Sequence, residues 1–131
     1  MIWYAIGMII LLFLIAKLTR KKYNFNVEYN KCESPIEEKL IKKLYELGYQ
    51  PYSQVKCGYY RIDISLYVRG RKIAIECDGK EYHSSPSQVE HDQKKDYYLQ
   101  KNKWDVIRLR GTDIHKDLIG CIKIIEKRIK N

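Results

Sequence analysis

The chain reads as an α/β protein: a four-stranded mixed sheet flanked by helices, preceded by one N-terminal transmembrane helix. Three observations predict it. Residues 2–16, IWYAIGMIILLFLIA, carry no charge and run directly into Lys17, Arg20, Lys21 and Lys22. Two consecutive segments, YYRIDISLYV and RKIAIECDG, alternate apolar and polar residues with the period of a strand. On either side of them, apolar residues recur at helical spacing, so helices bracket the strands.

The apolar run, extended through Leu18 with Lys17 snorkelling, makes a helix of roughly 25 Å, the short end of what crosses a bilayer. No basic residue precedes it, and Ala16-Lys17-Leu18 lacks the small-x-small pattern of a cleavage site. A retained single-pass anchor is therefore expected in preference to a cleaved signal peptide or a helix lying in the interface. Its basic flank is C-terminal, which puts the rest of the chain on the cytoplasmic face of the cell membrane. The expected organisation is an anchor at 1–19, a basic juxtamembrane linker at 20–33 and one folded domain at 34–131. RKKYNFNVEYNKCE, in the linker, shows no sustained period.

Folding proper is expected from Ser34. Ser34, Pro35 and Glu37 fit the N-cap, first-turn and capping-box positions of a helix over 35–47, with Ile36, Leu40, Ile41, Leu44 and Leu47 as its apolar stripe and Gly48 as its stop. Tyr49–Cys57 reads as a short edge strand because Pro51 near its start would spoil few sheet bonds there. In YRIDISLYV, Ile62, Ile64, Leu66 and Val68 are expected on one face and Arg61, Asp63, Ser65 and Tyr67 on the other. Arg69-Gly70 turns the chain into a second hairpin strand, where Ile73, Ile75 and Cys77 alternate with Lys72, Ala74, Glu76 and Asp78. A polar loop over 79–87 leads to a helix over 88–101, the least apolar of the set, whose polar face is available to a site. DVIRL is expected as a short central strand. A last helix carries Ile114, Leu118, Ile122, Ile125 and Ile129, capped by Thr112 or Asp113.

The formal charge is +9, and nothing before Lys17 contributes to it. So basic a domain favours a polyanion, either nucleic acid or the anionic inner leaflet. Cys32, Cys57, Cys77 and Cys121 contain no CxxC pair, which argues against a thiolate zinc site and fits reduced, packed thiols.

The hairpin brings Asp63 and Glu76 to one face, with Asp78 two residues further along. Adjacent acids repel one another unless a counter-ion is present, and Mg²⁺ or Mn²⁺ supplies one through hard oxygen ligands. Such an ion can polarise a phosphate and activate water, which is the chemistry of phosphodiester hydrolysis. The bland alternative is a pair of solvent-facing acids on alternating strands.

SPIEEKL, YYRIDISLYV, KIAIECDGKEYH, HDQKKDYYL and NKWDVIRLRG, in that order over residues 34–111, resemble the PD-(D/E)XK nuclease superfamily, and within it the very-short-patch-repair endonuclease-like branch. The resemblance implies a restriction-endonuclease-like core and a metal-dependent endonuclease acting on DNA. Asp63 and Glu76 would bind the ion, and Glu37 would reach the site from the first helix. The chain departs from the superfamily pattern at one position: the second catalytic strand reads Glu76-Cys77-Asp78 where acid-x-lysine is usual. His83 is a candidate for acid–base work. Lys80 and Lys95 are candidates for the missing positive charge, and Gln54 for holding water or phosphate. A noncatalytic DNA-binding module on the same core is the main alternative, and a membrane-associated scaffold a further one.

Overall fold

The structure, a computed structural model, describes residues 1–79 and 85–131. Its elements follow the chain as helix α1 (Ile2–Thr19), α2 (Phe25–Asn30), α3 (Pro35–Glu46), strands β1 (Tyr52–Cys57), β2 (Tyr60–Val68) and β3 (Arg71–Asp78), helix α4 (Pro86–Lys101), strand β4 (Trp104–Arg110), and helices α5 (Gly111–Lys116) and α6 (Leu118–Lys130). The sheet order is β1-β2-β3-β4, antiparallel between the first three strands and parallel between β3 and β4. This is the expected mixed four-stranded sheet flanked by helices.

Helix α1 buries none of its residues, and its mean hydropathy is 2.2. Its length and composition meet the requirement for a membrane span, a test that a signal sequence also passes.

The stretch after it, read as a linker, contains a helix of its own. Asn24 caps α2, and Glu28 on that helix accepts the backbone N–H of Ser53 at 2.9 Å while the Glu28 carbonyl takes the Ser53 hydroxyl. Phe25 and Tyr29 pack on the main core. Six residues are too few to show a helical period in sequence, and α2 is held by these tertiary contacts.

Helix α3 is capped as its sequence requires. Ser34 Oγ accepts the Glu37 N–H, and Glu37 Oε2 accepts the N–H of Glu33. Its apolar stripe packs on Ile64, Leu66, Ile73, Ile75, Ile107 and Leu109 of the sheet, together with α5 and α6. Ile62, Ala74, Leu99 and Trp104 form a second, smaller cluster on the α4 side.

Three expectations are corrected. Strand β4 is an edge strand, because the α4 crossover returns the chain parallel to β3 and no later segment pairs with its free side. The last helix is two, α5 and α6, broken at Asp117, whose carboxylate accepts the Gly120 N–H at 2.9 Å. Finally, Ile62 and Ile64 do not share a face.

The reason for that switch lies on β1, where Gln54 is opposite Asp63. Gln54 has φ of 51°, a left-handed conformation that turns the strand over. On one side of this point Ser53 meets α2. On the other, Val55 joins Ile62 beneath α4.

Candidate functional site

Asp63 sits where β2 changes face, and its carboxylate reaches β3. Asp63 Oδ2 accepts the backbone N–H of Cys77 at 2.8 Å, fixing the acid beside Glu76. Burial holds the Asp63 carboxyl above its ordinary range, with the Cys77 N–H pulling it down and the Glu37 charge pushing it up.

Glu76 is 3% exposed. Its Oε2 is paired with the ammonium of Lys95, which α4 delivers across the sheet face, and its Oε1 is buried with no hydrogen-bond partner among the described residues. Burial, then the adjacent Asp63, push the Glu76 carboxyl up to about 7, and Lys95 opposes that rise.

Glu37 reaches the site's edge from the first turn of α3. Its Oε1 accepts the Ser34 hydroxyl at 2.9 Å, and its Oε2 accepts Gln54 Nε2 at 3.0 Å as well as the Glu33 N–H. Gln54 is thus strained in backbone and pinned in side chain. Both features hold it between the cap of α3 and the kink at Asp63.

Asp78 goes elsewhere. Its Oδ1 accepts Arg108 Nη1 at 3.0 Å, and the same guanidinium reaches Asp96 at 2.7 Å and Asp92 at 3.7 Å. Burial disfavours the Arg108 charge, but these carboxylates outweigh it and hold its pKa above the ordinary value. Asp78 and Arg108 therefore tie β3 and β4 to α4, which sets the position of Lys95. Arg61 and Lys72, expected on the carboxylate face, are engaged away from it: Arg61 with Glu33 at 2.7 Å, and Lys72 with the Asn102 carbonyl. Cys77 is a packed thiol that burial pushes well above its ordinary pKa. His83 and Lys80 lie outside the described residues.

Among the described residues, no group of three or more His, Cys, Asp and Glu side chains is placed to hold a metal ion. The three-acid arrangement of Asp63, Glu76 and Asp78 is therefore not formed. What is formed is a buried acid, Glu76, with one oxygen that has no partner among the described residues, beside a half-buried one, Asp63, held by the Cys77 N–H. Two carboxylates completed by water is a donor set that fits Mg²⁺ or Mn²⁺, which keep several waters.

The family model of the restriction endonuclease-like family REase_MTES_1575 matches residues 36–129, more than half of the chain, from α3 through α6. The chain belongs to this restriction endonuclease-like family. No curated protein matches the sequence. Within the matched span of this restriction endonuclease-like chain lie Glu37, Gln54, Asp63, Glu76 and Lys95, whereas α1 and α2 fall outside it.

One part of the site was hidden from sequence reasoning, and another was left open. The kink at Gln54 and Asp63 has no glycine to announce it. Lys95 was one of two candidates for the missing positive charge, on a helix whose polar face was available to a site, but its contact with Glu76 spans 19 residues and is not written in local pattern.

Proposed function

We propose that this chain is a metal-dependent DNA endonuclease of the very-short-patch-repair-like branch, tethered to the cytoplasmic membrane face by α1. The observation that carries the reading is the Lys95 ammonium on Glu76, beside an Asp63 already locked by the Cys77 N–H. It supplies a cation to the acid pair in a chain whose second catalytic strand carries Asp78 in place of the expected lysine.

Asp63 and Glu76 would hold Mg²⁺ or Mn²⁺, with the Cys77 carbonyl as a further oxygen. When bound, that ion supplies Lewis-acid charge to the phosphate and lowers the pKa of the attacking water. Lys95 balances the charge of Glu76 at rest and, being 12% exposed at its side chain, offers a shielded positive charge to the phosphate oxygens as they gain negative charge. Gln54 and Glu37 orient the floor of the site through their mutual hydrogen bond. Asp78 acts by positioning α4 through Arg108, and His83 is the sequence's candidate for proton transfer. DNA is the proposed substrate, drawn by the basic surface.

The test is cleavage of linear, circular and mismatched DNA by the full chain in detergent, with Mg²⁺, with Mn²⁺ and with chelator. Cleavage should need metal, vanish in Asp63→Ala and Glu76→Ala, and fall roughly 10²-fold in Lys95→Met with DNA affinity retained. Wild-type cleavage that Lys95→Met leaves unchanged would overturn the role given to Lys95. Tight DNA binding without cleavage under every metal condition would instead support a noncatalytic DNA-binding module, which the loss of the strand lysine at Asp78 favours.

A further inference from the structure

Helix α1 ends at Thr19, and the folded domain takes hold of the chain at Tyr23, whose hydroxyl donates to the Pro51 carbonyl at 3.0 Å. Arg20, Lys21 and Lys22 alone separate the two. Four Cα steps reach at most about 14 Å, so the domain surface around Tyr23 stays within that distance of the end of α1.

That surface is aromatic. Phe25 stacks on Tyr45 at 4.1 Å between centroids, Tyr45 meets Tyr23 at 6.3 Å, and Tyr23 meets Tyr52 at 5.4 Å. The series continues from Tyr52 to Tyr67 at 5.5 Å and on to Trp104 at 5.6 Å, with Lys72 Nζ 5.0 Å above the indole. Of the large apolar side chains exposed outside α1, Val27, Tyr45 and Tyr67 are on elements that meet here, and Leu47 caps the end of α3. Between them and the tether is a cleft of about 250 Å³ bordered by Tyr52, by Lys21 and Lys22, and by Lys31 in an ion pair with Glu28, which leaves it a net positive lining.

The sheet register says which end this is. Tyr67 pairs with Lys72, and Lys72 with Trp104, at one end, while Glu76 pairs with Arg108 and Asp78 with Arg110 toward the other. Four residues from Lys72 to Glu76 make roughly 13 Å of strand.

We propose that this end of the domain is a bilayer-docking surface, with its tyrosines at the headgroup level and its lysines on anionic lipid phosphates. The Asp63 and Glu76 pair then opens away from the membrane, toward polymer in the aqueous phase. This rests on reading α1 as a membrane span. A bilayer is the occupant because covalent continuity brings it within reach, because tyrosine and tryptophan favour the interface, and because the cleft is cationic.

The test uses the full chain in vesicles of phosphatidylcholine and phosphatidylglycerol in equal parts, with photoreactive benzoylphenylalanine replacing Tyr45, Tyr67 or Tyr59 in turn. Tyr59 is fully exposed in the turn at the opposite end. Lipid adducts at Tyr45 and Tyr67 are expected to exceed those at Tyr59 by about tenfold. Alkaline carbonate washing separates the two ways of failing. Release of the chain from the vesicles would overturn the reading of α1, and the docking surface with it. A retained chain with equal adducts at all three positions, or with Tyr67 cross-linked to a second copy of the chain, would overturn the docking surface alone.

Discussion

Glu76 concentrates the electrostatic tension of the site. A carboxylate buried beside a second carboxylate favours its protonated form, and among the described residues a lysine holds one oxygen while the other has no hydrogen-bond partner. The sign of its linkage to folding follows. In metal-free protein Glu76 binds its proton more tightly folded, at about 7, than at the ordinary carboxyl value of 4.5, so the folded state carries the extra proton between those limits. Its contribution to stability therefore falls as pH rises from about 4.5 to about 7 and is level above that. Thermal melts in chelator should show Glu76→Gln flattening this decline and raising the melting temperature at pH 8 relative to wild type. A larger loss for Glu76→Gln at pH 8 than at pH 5 would mean that the ion pair with Lys95 dominates over burial. Gln54 shows the same economy of position at the backbone: its left-handed φ turns the strand, and that turn is what frees Asp63 to face the Cys77 N–H.

Helix α4 is the element on which the site depends most, although only Leu99 of it is buried. Apolar contact alone fixes it weakly, and the remainder of its attachment is ionic. Arg108 on β4 holds Asp96 at 2.7 Å and Asp78 at 3.0 Å, so one guanidinium sets the height and rotation of α4 over β3. Lys95 lies one residue before Asp96 on the same helix. Arg108→Leu should cost about 3 kcal/mol of stability by leaving Asp78, Asp92 and Asp96 facing one another, measurable as a lower urea midpoint. In the same variant, any DNA cleavage should drop with it, because the Lys95 ammonium loses its fixed position over Glu76. Unchanged stability would mean that α4 is held by Leu99 and its neighbours without help.

At the scale of the whole molecule, a restriction endonuclease-like domain and an apolar helix are joined by three basic residues, with α2 latching the start of the domain onto edge strand β1. A site whose two acids share a single lysine weakens the fold that contains it, so a further cation that binds there stabilises the entire domain. Differential scanning of the full chain should show Mg²⁺ or Mn²⁺, at a hundredfold excess over its dissociation constant, raising stability by about 2.7 kcal/mol, which is roughly 10 °C for a domain of this size. Chelator should reverse the shift, and Asp63→Ala should abolish it. A shift that survives Asp63→Ala would place the ion elsewhere.

The local patterns were legible because they are written in neighbouring residues. The apolar stretch of α1, the capping residues of α3, the Arg69-Gly70 turn and the hairpin that sets Glu76 near Asp63 each follow from periods of two or 3.6 and from turn chemistry. They determined the α/β class and named the candidate acids. Long-range contacts alone decided the rest. The edge position of β4 depends on which strand has a free side, α2 is held where Glu28 finds Ser53, and the kinked Gln54 is held by Glu37, which receives its side chain. Sequence likewise left Lys95 as one of two candidate cations. Placing it on Glu76 required the crossover helix to be docked, because a charge 19 residues away reaches a carboxylate only once packing has fixed both ends.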